Sequence, residues 1–378
     1  MTQFVELHII QNFAPSCLNR DDTGAPKDAM FGGYRRSRIS SQCLKRASRL
    51  AFTSLGLLNK DELGIRTRNV VALLVEKLKD KGIDAPQKAI EQALAIVELK
   101  VKSKQDKGFL ADDDGPANKE AVSQTEYLLF LSNTCIDELA GVIQAHYELL
   151  ESGKSSREAK KAIDDCIGSA SAVDVALFGR MLADRKELNV DAAAQVAHAI
   201  STHRVDRESD FFTAVDDWTE DDEADAGMLG TVEFNSSCQY RYAVVNQDQL
   251  SRNLGGDDLL ARKGLLAFLR AAIMAIPSGR QNTFAAHNLP AFIGIAIHNS
   301  QPISLANAFE QPVRADTKQS LTAASVARLE THANQLSQAF GLDLGLKVLD
   351  LSGAWKGESL ASMEALLAQV EAELEAVA

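Results

Sequence analysis

The chain has 378 residues, of which 46% are hydrophobic, enough to bury a substantial core in two or three structural units and to exclude a disordered chain. Its formal net charge is -12, yet residues 1–50 hold eight Lys or Arg against four Asp or Glu, a local +4 that leaves -16 for the remainder. That balance excludes general adhesion to polyanions, so nucleic-acid binding is expected only at one defined surface.

In chain order, the start MTQFVELHII has no cationic n-region and no long apolar run, and the greasiest later stretch, residues 264–276, is interrupted by Arg270. No signal peptide, membrane span or membrane partner is expected. Residues 4–12 read as a strand, with Val5, Leu7 and Ile9 alternating with Glu6 and His8. A polar loop with Pro15, Gly24 and Pro26 leads to residues 31–49 (FGGYRRSRISSQCLKRASR), which carry six Arg or Lys and no acid. Gly32 and Gly33 free the backbone to turn tightly and lie against a ligand. Ser40 stands as an N-cap ahead of Leu44, Ala47, Ala51 and Phe52, which predicts a helix over about residues 41–55. A glycine turn feeding a helix N-terminus outlines a phosphate cradle. Lys45 and Arg49, four apart on one face, and Arg46 offer cations to successive phosphates. A solvated basic helix on an ordinary surface has the same spacing.

From about residue 60 to 167 helical spacing dominates (Val70, Val71, Leu74, Val75, Leu78; Ile90, Leu94, Val97), with further helices expected near residues 119–150 and 155–166. Residues 108–115, with three consecutive Asp, read as a solvated loop. A strand is expected at residues 173–178, and residues 192–202 fit helix or strand equally. A long irregular segment, residues 204–235, holds Phe211, Phe212 and the acidic run 220–225. A strand at 238–246, a helix at 257–276, a strand at 291–298 and polar helices near 318–339 and 358–378 complete the chain. Without the insertions the order is strand, helix, strand, strand, helix, strand, a ferredoxin-like arrangement shared by RNA-recognition-motif domains. The five cysteines (Cys17, Cys43, Cys135, Cys166, Cys238) are widely spaced without a Cys-x-x-Cys pair, as expected of reduced thiols in a cytoplasm.

The string SCLNRDDTGAPKDAMFGGYRRSRISSQCLKRA (residues 16–47) resembles the N-terminal signature of the CasC, or Cas-seven, family, the repeated backbone subunit of type I-E CRISPR Cascade. ALFGRM (176–181), SDFFTAVDD (209–217), LGTVEFNSS (229–237), QYRYAVVN (239–246) and SLANAFE (304–310) resemble it in the same order. The resemblance implies an α+β chain with an RNA-recognition-like palm (1–58, 168–203, 236–315), a helical fingers insertion (59–167), a long thumb loop (204–235) and C-terminal helices on the palm (316–378). It implies a non-catalytic role without metal or cofactor. Copies polymerise along a guide RNA beside other Cascade subunits, and complementary target DNA pairs between the thumbs. Arg20, Lys27, Arg38, Ser40, Gln42, Lys45, Arg46 and Arg49 would hold guide phosphates. Arg180 and Met181, after Gly179, would support the kinked nucleotide, and Phe211, Phe212 and Thr213 would displace a base. Tyr34 stands where a basic residue is expected and is given no role.

Two rival functions are open. Type III relatives of this palm cut bound RNA with an acidic loop, a role open to Asp21, Asp22 or Asp28, although loop capping and charge pairing explain those acids equally. A plain oligomeric scaffold leaves the basic segment without a purpose. His198 and His203, five apart, are poorly spaced for one metal, and no Walker loop, Gly-x-Ser-x-Gly elbow or zinc-helix motif occurs.

Overall fold

The computed structural model describes residues 2–102, 123–168, 172–182, 185–215 and 226–377. The expected loop at 108–115 and the acidic run 220–225 lie outside the described residues. The chain forms two compact units: Met1–Leu57, Ala194–Gln247 and Leu265–Ala378 make the first, Leu58–Ala193 and Asp248–Gly264 the second.

The first unit is built on one large antiparallel sheet. Its strands run in the order Lys347–Asp350, Phe292–His298, Phe4–Ser16, Ala226–Asn246, Ala199–Ser201, Tyr34–Ile39, Asp28–Phe31, with Glu208–Val215 and Ala194–Val196 also paired to the long strand. The register sets Leu7 opposite both Ala243 and Ile295. Residues 192–202, ambiguous in sequence, are thus two short strands.

Alternation along Phe4–Ser16 separates two covered faces, not core from water. Leu7 and Ile9 share one face with Leu44 of the helix Ser41–Ser54 and with Phe268 and Ala272 of the helix Asp258–Met274. Ile10 lies on the other, with Tyr240, Phe292, Phe309, Val326 and Leu329, the last two from the helix Leu321–Phe340. Glu6 and His8 are buried on that second face because they satisfy each other: Glu6 accepts from His8 Nε2 (3.2 Å), His298 Nε2 (2.7 Å) and Ile303 N (2.8 Å). Burial alone would push the Glu6 carboxyl up, but the bond and charge of His8, with the Ile303 amide and His298, hold it below its ordinary range.

The second unit packs the helices Val70–Asp80, Gln87–Ile96, Asn133–Ala145 and Arg157–Gly168 around Val71, Leu74, Ile90, Leu94, Leu139 and Ile163. Two expectations fail here. The helix placed near 119–150 is preceded by the strands Gln124–Thr125 and Leu129–Ser132. The buried run Leu129, Phe130, Leu131 pairs with Gly64–Thr67, and helix begins only where the Ser132 hydroxyl accepts from Cys135 N at 2.9 Å. The strand placed at 173–178 is the short helix Val173–Phe178. Its first five residues are all buried, so apolar alternation carried no facial information, and Asp174 is buried because it accepts from Gly64 N at 2.7 Å.

Candidate nucleic-acid interface

The basic segment folds as a hairpin followed by a helix. Gly32 and Gly33, at φ +57° and +81°, form the two-residue turn between Asp28–Phe31 and Tyr34–Ile39, the left-handed geometry that tight hairpins require. A Cβ on Gly32 would lie 2.0 Å from the Glu310 carbonyl oxygen, so the close approach expected toward a ligand is made to the chain itself. The turn also does not feed the helix, as the sequence reading had it: the six-residue strand Tyr34–Ile39, about 20 Å at 3.3 Å per residue, intervenes.

Arg36 is fully buried and donates to the carbonyls of Ser201 (3.1 Å), Phe309 (2.8 Å) and Glu310 (3.0 Å), with Phe31 and Tyr34 rings 5.7 and 6.0 Å from its guanidinium. Tyr34 therefore supports a structural arginine, and the SLANAFE motif supplies two of its acceptors. Once residues 34–39 are known to form a strand, the spacing accounts for the pair, since Tyr34 and Arg36 then share a face.

The helix Ser41–Ser54 starts at Ser40, whose hydroxyl accepts from Cys43 N (3.4 Å) and whose amide donates to Asn19 Oδ1 (2.9 Å). Its first turn has no acid, leaving the positive end of the helix without a carboxylate of its own. Lys27 is fastened alongside by its amide to Asn19 O (2.9 Å) and by Arg38 N to its carbonyl (3.0 Å). Arg38 donates through Nε to Asp28 O (3.1 Å) and through Nη1 to His198 Nδ1 (3.0 Å). Burial, then the charges of Arg38 and Lys27, push His198 down, so it accepts as neutral imidazole. Burial pushes the Cys43 thiol up while Lys27 and Arg46 pull it down, so both cations act on the helix's first turn.

Arg20 and Arg46, both exposed, line one groove of about 730 Å³ with Asn19, Cys43, Leu50 and His287. Gln42 is exposed beside Ser41, whose hydroxyl lies 3.4 Å from its Oε1. Lys45 turns inward: its Nζ is 3.5 Å from Ala194 O, and burial lowers its pKa. Arg49 is half-buried on the same helix. The structure thus gathers Arg20, Lys27, Arg38, Ser40, Gln42 and Arg46 at one edge of the first unit.

The region expected as an irregular thumb contains a two-stranded arm: Glu208–Val215 pairs with the first part of the long strand, Phe212 opposite Gly230 and Thr213 opposite Leu229. Adjacent strand residues point to opposite faces. The Phe212 ring covers Gly230, where a Cβ would come within 2.4 Å of it, whereas Phe211 is 65% exposed. Sequence reading passed over Arg207, at the foot of this arm, which pairs with Asp28 (3.0 Å), Glu233 (3.2 Å) and Asp21 (3.8 Å).

Arg180 and Met181 belong to the second unit. Arg180 is buried, its guanidinium donating to Leu188 O (2.9 Å) and Gly168 O (3.4 Å), while Met181 is 80% exposed. A Cβ on Gly179 would meet Val190 O at 2.9 Å, so that close approach too is internal.

Among the described residues no group of three or more His, Cys, Asp or Glu could hold a metal ion, and no helix is long and apolar enough to cross a membrane. Asp21 accepts from Thr23 N (3.0 Å), Thr23 Oγ1 (2.7 Å) and Ala25 N (3.0 Å), and Asp28 pairs with Arg35 and Arg207. Asp22 is exposed on the groove wall.

The protein family described as CT1975-like protein matches residues 5–372. No curated protein matches the chain. A solved chain described as "CRISPR RNA-guided surveillance complex, pre-nicking" is 32% identical with a TM-score of 0.81, covering 98% of this chain and 99% of its own. Another, described as "CRISPR RNA-guided surveillance complex", is 28% identical with a TM-score of 0.72 over the same shares. With a family match over nearly its whole length and a relative of this identity and coverage, the chain belongs to the CT1975-like family, within the Cas-seven family of CRISPR proteins.

Proposed function

We propose that this chain is a non-catalytic backbone subunit of a type I-E Cascade in the cytoplasm. Copies of it polymerise along a CRISPR guide RNA, kink it at regular intervals and present the segments between kinks for pairing with target DNA. The observation that carries this reading is the edge where Arg20, Lys27, Arg38 and Arg46 surround the Ser40-capped helix start, a polyanion site inside an acidic chain. The RNA-guided complexes to which the two similar solved chains belong support it at the level of the whole subunit.

The four central strands Phe292–His298, Phe4–Ser16, Ala226–Asn246 and Ala199–Ser201, adjacent and antiparallel, support a ferredoxin-like palm. In such a sheet the RNA-recognition face is the usual platform for bases. Here Tyr240 is buried on that face beneath Phe309 and Val326, so we place the guide along the hairpin and helix edge. The arm is the thumb, with Phe211 as its wedge. Arg180 acts as an internal brace, and Met181 is the exposed member that would meet a nucleotide. The engaged carboxylates of Asp21 and Asp28 favour the non-catalytic reading over metal-dependent cleavage of target RNA.

The test is the salt dependence of guide retention by the purified assembly. Phosphate contacts to single strands contribute a slope of about 0.7 each. Arg20→Ala with Arg46→Ala is expected to lower the slope by about 1.4 per subunit bound, equally for any spacer sequence. Lys45→Ala, whose ammonium is turned inward, is expected to change it less. An unaltered slope in the double variant would remove this edge from the guide's path.

A further inference from the structure

The two legs of the arm are anchored unequally. One leg is the first part of Ala226–Asn246, which continues without a break into the central sheet, pairing with Phe4–Ser16 from Asn235 onward. That leg needs no further fixing. The other, Glu208–Val215, enters through residues 202–207, where the Thr202 amide bonds Cys238 O (2.8 Å) and the amide of buried Val205 bonds Arg35 O (3.1 Å). Immediately before the first paired residue, Glu208, stands Arg207.

Its guanidinium spans three elements. Nη1 reaches Glu233 of the opposite leg (3.2 Å), and Nη2 reaches Asp28 of the glycine hairpin (3.0 Å) and Asp21 of the preceding loop (3.8 Å). Asp28 is shared with Arg35 on the partner strand of the same hairpin. A planar fork that meets carboxylates from three directions fixes an angle, which one flexible ammonium does not. The same hairpin leads into the proposed phosphate edge.

We propose that Arg207 is a positioning residue that sets the angle of the arm against the guide-binding hairpin, so that the wedge falls at a fixed spacing from the phosphates. This rests on the backbone-subunit reading. Arg207 is assigned no phosphate: its Nη1 and Nη2 are engaged by Glu233 and Asp28, with Asp21 a longer ion-pair partner, and it acts through Phe211.

The experiment has two arms. In the free chain, hydrogen exchange at amides 208–211 reads the hold on the leg. In the guide-loaded assembly, nuclease footprinting reads the spacing. Arg207→Ala is expected to raise exchange at those amides roughly fivefold, the scale of a lost surface ion-pair network. It is also expected to blur the periodic footprint while guide occupancy is retained. Arg207→Lys is expected to restore part of both, and the exchange pair R207E/E233R to outperform R207E alone. Wild-type exchange and footprint in R207A overturn the proposal, as does an R207E/E233R chain no better than R207E. A wild-type assembly with no periodic footprint defeats the backbone reading instead, and the free-chain exchange still reports whether Arg207 holds the leg.

Discussion

Phe211 and Phe212 are neighbours in sequence but differ in physical role, because a strand sends them to opposite faces. Phe212 fills the space left by Gly230, a cross-strand pair that repairs a glycine in a ribbon. Phe211 has no such duty and presents its ring to solvent. Phe212→Ala is therefore expected to loosen the arm itself, at a cost of about 0.2–1 kcal/mol read as faster amide exchange around residues 212 and 230. Phe211→Ala is expected to leave arm stability within about 0.5 kcal/mol of wild type and to erase the kink from the guide's nuclease-protection pattern. Equal effects on both readouts would mean that the two rings act as one apolar tip. In sequence the pair FF carries no such distinction, since it depends on which residue faces the glycine across the ribbon.

At the scale of the element, the hairpin Asp28–Ile39 shows why part of the site was legible and part was not. The helix after it was read correctly, because its N-cap, its apolar spacing and its basic residues are local signals. The strands Asp28–Phe31 and Tyr34–Ile39 were missed: three arginines within Tyr34–Ile39 mask the alternation, and the compensation for burying Arg36 comes from residues 201, 309 and 310, remote in sequence. Long-range acceptors leave no local trace. The two glycines of the turn are likewise unequal. Both have positive φ, but a Cβ at Gly32 would strike the Glu310 carbonyl, whereas nothing lies within 4 Å of one at Gly33. Gly33→Ala is expected to cost about 1–2 kcal/mol, the left-handed backbone term alone. Gly32→Ala is expected to exceed that clearly and also to weaken guide retention, because the hairpin must lift off the 309–310 segment that anchors it. Thermal unfolding of the two variants side by side checks this, and equal shifts in Tm would show that the hairpin tolerates displacement.

Considered as a whole, the molecule buries polar groups on both faces of its central sheet, and that ties its stability to pH. Half-buried His203, just past the strand Ala199–Ser201, is the group to test: its Nδ1 donates to Arg204 O (2.8 Å), and its Nε2 accepts from Cys238 N (3.2 Å) in the long strand. Only the second bond requires the neutral ring, because a protonated Nε2 cannot accept from the Cys238 amide, whereas the Nδ1 donation survives protonation. Burial, with the Arg36 charge adding to it, holds the pKa below the ordinary 6.5 although the Arg204 carbonyl pulls the other way. A depressed folded-state pKa means that the unfolded chain takes up the proton first. The His203 contribution is therefore complete above pH 6.5 and is lost as pH falls from there toward its folded pKa. Glu6 behaves alike in a lower window. Its contribution is complete above the ordinary carboxyl value of 4.5 and is lost as pH falls below it. His198 and His332 are also depressed, so a wild-type profile alone does not isolate one group. The comparison does: His203→Gln is expected to be less stable at neutral pH and to show a shallower fall in stability between pH 6.5 and 5. The difference in slope approaches at most about 1.4 kcal/mol per pH unit, the limit for one proton. Parallel denaturation profiles for the two chains across that interval would mean that His203 titrates alike folded and unfolded, and that the Cys238 amide holds the strand without it.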